Sequence, residues 1–152
     1  MKIVIAGSGE VGSHLAKLLS KEDHDIIVID RDRRRLLALD SYNLITHMGK
    51  PTSFQAMKYV GMRDCDLFIA VTPYETENVV ACSIAKSLGA RKTVARIDNY
   101  EFYNPENREY FEKAGVDDLI YPENLAAEEM LLALKHTWVR NWFELFNGEL
   151  IV

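Results

Sequence analysis

Apolar residues along this chain fall into two alternating rhythms. Short runs at Ile3-Val4-Ile5-Ala6, Ile26-Ile27-Val28-Ile29, Leu44-Ile45-Thr46, Leu67-Phe68-Ile69-Ala70-Val71, Thr93-Val94-Ala95-Arg96-Ile97 and Leu119-Ile120-Tyr121 are mostly continuous rather than alternating. That is the pattern of strands buried on both faces of a parallel sheet. Between the first two runs, Val11, Leu15 and Leu18 recur at i, i+4 and i+7, one stripe of an amphipathic helix. The spacing predicts further helices over 31–41, 52–60, 75–88, 105–114 and 123–136, with Pro105 opening one and Gly89 and Gly115 closing two. Parallel strands need crossover connections, and helices in strict alternation supply them, so the pattern predicts a doubly wound α/β sheet of six parallel strands. After His136 the rhythm changes: 142–146 reads as a strand, Asn147-Gly148 as a hairpin turn, and 149–152 as the start of a second strand. Residues 1–136 are thus read as one unit, with a C-terminal crossover helix, and 137–152 as a hairpin tail entering a truncated further unit.

The sharpest chemical signal sits at the first strand-to-helix junction. Gly7-Ser8-Gly9-Glu10-Val11-Gly12 fits GxGxxG, and Asp30 ends the second strand eighteen residues after Gly12. Glycine-rich turns are common, but this one follows a strand, opens a helix and is succeeded by an acid at the right distance. Gly7 permits a tight turn, Gly9 lets backbone approach a pyrophosphate, and Gly12 lets helix and strand pack closely while helix amides face the anion. Asp30 is expected to accept hydrogen bonds from both hydroxyls of an adenosine ribose, and the expected fold is Rossmann-like, with strand order 3-2-1-4-5-6. The same carboxylate repels a 2′-phosphate, favouring NAD over NADP, although an arginine near the ribose, from the run that follows, can accommodate such a phosphate. In the run Arg31, Arg33, Arg34 and Arg35, only Arg31 is close enough to Asp30 to be assigned to the adenosine end.

Ligands of open α/β sheets lie across the carboxyl ends of the strands. Gly49-Lys50-Pro51-Thr52 follow the third strand, Thr72-Pro73 the fourth, and Arg96 stands near the end of the fifth. Arg96 is poised either to reach a phosphate or ribose or to pair with Asp98.

Composition removes several classes of function. The chain has 152 residues, 48% hydrophobic and 27% charged, with net charge −5. No basic stripe interleaves with aromatics, so nucleic-acid binding is not expected. Cys65 and Cys82 lack metal-ligand spacing and point to a reducing, cytoplasmic setting. No apolar stretch reaches the ~18 residues of a membrane span, and no leader pattern precedes the first strand. His14, His24, His47 and His136 are scattered, and neither a Tyr-x-x-x-Lys pair nor a nucleophile elbow is present. No catalytic or metal site is therefore expected.

Residues 1–16 together with Ile29-Asp30-Arg31-Asp32, Ala70-Val71-Thr72, Glu77-Asn78-Val79-Val80-Ala81-Cys82, Ala95-Arg96-Ile97 and Ile120-Tyr121-Pro122-Glu123 resemble the N-terminal RCK (KTN, or TrkA-N) domain family of Trk-type potassium-uptake regulators. The resemblance runs from residue 1 to about 136 and implies a domain that binds NAD(H), or in relatives ATP and ADP. It also implies assembly as a dimer or larger ring beneath an integral membrane potassium transporter whose opening it regulates, hence a cytoplasmic place at the inner face of the membrane. Position by position, it implies that Gly7, Ser8, Gly9, Glu10, Val11 and Gly12 serve phosphates and that Asp30 and Arg31 serve the adenosine end. Gly49, Lys50 and Pro51, with Thr52, fall to the adenine edge, and Thr72 and Arg96 to the other half of the ligand. Glu10 stands where some ATP-binding relatives carry arginine, and a carboxylate there repels a triphosphate, so ATP and ADP are less favoured.

The leading expectation is a non-catalytic NAD(H) sensor. The alternatives are the cofactor half of an NAD-dependent dehydrogenase, which needs a proton-transfer residue near Thr72 or Arg96, and a scaffold with an empty cleft. In the last helix Ala127, Met130, Leu131, Leu134 and Trp138 form one apolar stripe, with Leu125 and Leu132 off it. A helix apolar on more than one side wants two partners, so this segment is expected to pack against a second copy.

Overall fold

The structure, a computed structural model, describes residues 1–135, 144–145 and 150–151. The chain divides into two compact units, Met1–Tyr121 and Pro122–Val152.

In the first unit six strands, β1 (Lys2–Ala6), β2 (Asp25–Asp30), β3 (Ile45–Met48), β4 (Leu67–Ala70), β5 (Lys92–Arg96) and β6 (Asp118–Ile120), form one sheet in the order β3-β2-β1-β4-β5-β6. Every pairing is parallel, with Ile5 of β1 flanked by Val28 and Ile69. This is the doubly wound Rossmann-like sheet expected from the sequence.

Alternation along β1 splits the core into two layers. Ile3 and Ile5 join Val28, Leu36, Leu39 and Ile69 on one face; Val4 and Ala6 join Phe68, Met57, Cys82 and Phe111 on the other. Helix α1 (Glu10–Leu19) covers the first face through Leu15, Ala16 and Leu19, together with Leu36 of α2 (Arg33–Leu37). The second face is covered by α3 (Phe54–Tyr59), α4 (Glu75–Ser87) and α6 (Arg108–Lys113). Ala81, Cys82 and Ala85 make a small-residue stripe on α4, so that helix lies close to β4 and β5, and the Cys82 thiol donates to the Val94 carbonyl at 3.4 Å. Burial pushes both thiols up, Cys65 to about 11, which leaves them inert packing groups.

Three predicted helices are corrected. The 31–41 segment is helical only over Arg33–Leu37, with Asp32 accepting from the Arg34 N–H at 2.9 Å as its N-cap. Beyond it, turn bonds from Leu39 to Leu36 and Tyr42 to Leu39 tuck Leu39 into the core. The 52–60 segment shortens to Phe54–Tyr59, because Ser53 supplies the cap and Pro51-Thr52 form the preceding turn. The 105–114 segment splits into a 3-10 turn (Pro105–Asn107) and α6, preceded by a short α5 (Tyr100–Tyr103). Asn99 starts α5 by accepting from the Glu101 N–H at 3.0 Å. Short polar caps at Asp32, Ser53 and Asn99 fix where α2, α3 and α5 begin, which the apolar period does not record.

In the second unit, α7 (Pro122–Lys135) carries the expected exposed apolar residues: Leu125, Met130, Leu131 and Leu134 are all exposed. β7 (Glu144–Leu145) and β8 (Leu150–Ile151) pair antiparallel, as the tail pattern predicts. Trp138, Trp142, Phe146 and the Asn147-Gly148 turn lie outside the described residues. The last helix, counted with residues 1–136 in the sequence, falls with the tail in this second unit.

Candidate functional site

Because β2 and β3 lie on one side of β1 and β4 to β6 on the other, the chain leaves β1 and β4 in opposite directions, and a crevice opens between their carboxyl ends. The glycine loop fills the β1 side. Gly7 has φ +103°, and a Cβ there would lie 3.0 Å from the Thr72 amide nitrogen at the end of β4. A Cβ on Gly12 would fall on the Gly7 carbonyl oxygen. Gly9 is extended (φ −68°, ψ −166°), and a Cβ there would meet nothing within 4 Å. Gly7 and Gly12 are thus required by the fold, while the space over Gly9 is kept open. No side chain caps α1, so the amides of its first turn are directed at whatever anion enters the crevice.

Asp30 closes the loop from the β2 side. It is 7% exposed; its Oδ2 accepts from the Ser8 N–H at 2.6 Å and the Ser8 hydroxyl at 2.8 Å, and its Oδ1 from the Asp32 N–H at 2.8 Å. The side chain of Arg31 reaches across the crevice. Its Nη2 donates to Glu77 Oε2 at 2.9 Å, and its guanidinium stands 5.5 Å from the Tyr74 ring centroid. The resulting cleft holds about 220 Å³, and its walls include Gly7, Asp30, Arg31, Pro51, Thr72 and Glu77.

The β4 and β5 ends are held by the first turn of α4. Asn78, fully buried, accepts at Oδ1 from the Thr72 N–H (2.9 Å) and hydroxyl (2.7 Å). Its amide nitrogen donates to the carbonyls of Thr72 (3.0 Å) and Arg96 (2.9 Å). Glu75 accepts from the amides of Asp98 and Asn99 at 3.0 and 2.8 Å.

Gly7, Asp30, Arg31, Pro51 and Thr72 therefore converge on one cleft, with Ser8, Gly9, Glu10, Val11 and Gly12 in the loop and helix start beside it. Gly49 and Lys50 stand apart, in a shallow groove with His47, Ser53 and Tyr59 along α3. Arg96 makes the ion pair with Asp98 that its position allowed, Nη2 to Oδ1 at 3.2 Å. Sequence reasoning gave no role to Glu77, Tyr74 or Asn78. Asn78 could have been found: it shares the buried face of α4 with Ala81, Cys82 and Ala85, a polar residue on an apolar stripe. A roomier groove of about 360 Å³ lies between α5, α6 and β6, lined by Phe102, Pro105, Arg108, Phe111 and Leu119 among others. No glycine loop lines it, so the chemistry favours the switch-point cleft. Among the described residues no group of His, Cys, Asp and Glu could hold a metal ion, and no helix is long and apolar enough to cross a membrane.

The TrkA-N domain profile matches residues 3–122. The chain belongs to the TrkA-N domain family. It is 37% identical over 133 residues to the Trk system potassium uptake protein TrkA of Haemophilus influenzae, covering 86% of this chain and 29% of that protein. A TrkA homolog of Archaeoglobus fulgidus is 34% identical over 130 residues, covering 85% and 29%. The chain thus spans under a third of these relatives' length, and both are named for potassium uptake rather than for a catalysed reaction. Among solved structures, the TrkA-N domain of the Escherichia coli inner membrane protein ybaL superposes with TM-score 0.76 at 21% identity, covering 88% of this chain and 96% of that one. The GsuK channel bound to NAD gives 0.65 at 20% (80% and 21%), and a Shewanella denitrificans Kef C-terminal domain in its AMP-bound form 0.69 at 15% (92% and 84%). At these identities the TrkA-N neighbours establish the shared fold.

Proposed function

We propose that this chain is the nucleotide-sensing domain of a potassium-uptake regulator, binding NAD(H) in the switch-point cleft and passing occupancy to an assembly of copies beneath a membrane potassium transporter. The observation that carries the reading is the pairing of an uncapped helix start over Gly9 with the Asp30 carboxylate at the end of β2. The first receives a pyrophosphate; the second accepts from a ribose diol. Arg31 and Arg35 in the same cleft are paired with Glu77 and Asp32, which leaves Asp30 as the uncompensated charge and disfavours a 2′-phosphate and hence NADP. Potassium-uptake relatives and nucleotide-bound neighbours support the biological setting.

Binding here is regulatory rather than catalytic. Hydride transfer needs a second substrate ~3–3.5 Å from the nicotinamide and a group to manage its proton. The titratable side chains that line this cleft are Asp30, Arg31, Asp32, Arg35, Tyr74 and Glu77, and each charged one is hydrogen-bonded or ion-paired. The exposed Leu125, Met130, Leu131 and Leu134 of α7 supply an apolar face for a second copy, through which occupancy can act.

Nucleotide released from the purified protein on denaturation is expected to be NAD or NADH, and calorimetric titration is expected to rank NAD(H) above NADP. Preference for NADP, or steady turnover of NADH with simple carbonyl compounds, would replace this reading with the dehydrogenase one.

A further inference from the structure

The hydrogen bonds around Asn78 decide more than the position of a loop. The amide orientation is settled by its neighbours: two carbonyl oxygens, of Thr72 and Arg96, surround one end, so that end is the NH₂ group. The other end, Oδ1, accepts from the Thr72 N–H and from the Thr72 hydroxyl, 2.7 Å away. A hydroxyl has a single proton. The competing acceptor, the Tyr74 carbonyl, is at 3.3 Å, so the proton belongs to Asn78, and the Tyr74 N–H, also at 3.3 Å, occupies one lone pair of Thr72 Oγ.

Thr72 lines the cleft, and the bonding capacity left on its Oγ is one lone pair, an acceptor without a donor. Its backbone packs against Gly7, so it lies beside the place where the glycine loop receives phosphates. Phosphate oxygens at neutral pH are themselves acceptors, and lone pair facing lone pair is repulsive. Hydroxyls and primary amides are donors. Resting on the nucleotide-binding reading above, we propose that Asn78 is a specificity-determining positioning residue: by holding the Thr72 proton it makes the far side of the cleft accept only a donor. A dinucleotide presents one there, as a second ribose hydroxyl or a carboxamide; a chain of terminal phosphates does not. The structure thereby carries its own preference for NAD(H) over ADP and ATP, in a residue that never touches the ligand.

The test titrates wild type, Thr72→Val, Thr72→Ser and Asn78→Ala calorimetrically with NADH, NAD, ADP and ATP. Thr72→Val, nearly isosteric, is expected to weaken NADH and NAD roughly three- to tenfold, the worth of one neutral hydrogen bond, and to leave ADP and ATP unchanged or tighter. Thr72→Ser restores wild-type ranking. Asn78→Ala frees the proton, so Thr72 can donate to phosphate, and the gap between NADH and ADP narrows. A merely structural role would weaken all four ligands together, which would overturn the proposal, as would Thr72→Val weakening ADP as much as NADH or changing nothing. If Asn78→Ala does not fold, the Thr72 pair alone decides. Wild type binding none of the four nucleotides would bring down the nucleotide reading itself, and this inference with it.

Discussion

Asp30 and Ser8 are joined twice: one carboxylate oxygen accepts both the backbone N–H and the hydroxyl of Ser8, at 2.6 and 2.8 Å. The acid assigned to the ligand ribose also sets the shape of the loop assigned to its phosphates. The two roles separate by mutation. Asp30→Asn puts an NH₂ or a weaker acceptor against Ser8 and is expected to lower both melting temperature and NAD(H) affinity, the latter by about 1.5–3 kcal/mol. Ser8→Ala removes one bond, costs about 1 kcal/mol of stability and frees a lone pair on Asp30, so NAD(H) affinity should hold or rise. Thermal melts paired with calorimetry check both; an Asp30→Asn protein that melts early but binds NADH normally would make Asp30 purely structural.

Two glycines of the loop should fail in opposite ways. Gly12→Ala drives a methyl onto the Gly7 carbonyl, and is expected to cost about 3 kcal/mol of stability because backbone must move. Gly9→Ala meets nothing and sits at an ordinary backbone conformation, so stability should stay within about 1 kcal/mol. The methyl then occupies the space reserved for a pyrophosphate, and NADH affinity should fall at least tenfold. Equal NADH affinity in Gly9→Ala and wild type would move the phosphates off this loop.

How much of this was readable in advance depended on how local each determinant is. The sheet was legible because continuous apolar runs such as Ile26–Ile29 and Leu67–Val71 report burial on two faces directly. The glycine loop and Asp30 were legible because chain geometry fixes their spacing. Helix ends were not: Asp32, Ser53 and Asn99 each stop or start a helix through a single side-chain bond that apolar periodicity does not record. The Arg31–Glu77 and Asn78–Arg96 links join residues 46 and 18 apart in the chain, and only the folded sheet brings them together.

Glu77 holds Arg31, the residue that follows Asp30, whose Nη2 donates to it at 2.9 Å. With Arg31 half exposed the pair adds little stability, about 0–1 kcal/mol. Its larger effect is on charge: a 2′-phosphate finds Arg31 already neutralised. Glu77→Gln releases that arginine and removes one negative charge from the cleft, so NADP affinity should rise relative to NAD while the melting temperature barely moves. Competition titration of the two cofactors reads the ratio; a ratio that stays put would clear Glu77 of any part in choosing between them.

Acid stability should depend on Asp117. Burial by itself would raise this carboxyl, but the Lys86 ammonium and the Thr93 N–H, each 2.7 Å from Oδ2, outweigh it and hold it below the ordinary carboxylate range. A pKa depressed on folding stabilises above the unfolded value, about 3.9, and that stability is lost as pH falls through the folded value. Asp117→Asn should therefore be less stable than wild type near neutrality, with the difference shrinking below about pH 4. Denaturant unfolding at several pH values measures this, and a difference that grows on acidification would contradict it.

Nucleotide in the cleft should be coupled to association through the exposed face of α7. Leu125, Met130, Leu131 and Leu134 are between 49 and 72% exposed, an apolar set that a second copy can cover. Leu134→Glu should shift the chain toward monomer in sedimentation equilibrium without changing its fold by circular dichroism. Sensing requires more, because a ligand moves an assembly only as far as its affinity differs between the two states. By linkage, a coupling of about 1–3 kcal/mol changes the dimerisation constant by roughly 5- to 150-fold when NADH saturates the clefts, and, with one cleft per copy, the NADH affinities of monomer and dimer must differ at each site by the square root of that factor. Sedimentation with and without NADH, compared with NADH titrations of wild type and Leu134→Glu, measures both sides of that cycle. Equal association constants in the two conditions would mean that NADH occupancy does not reach this interface, and the signal to a transporter would have to leave the domain elsewhere.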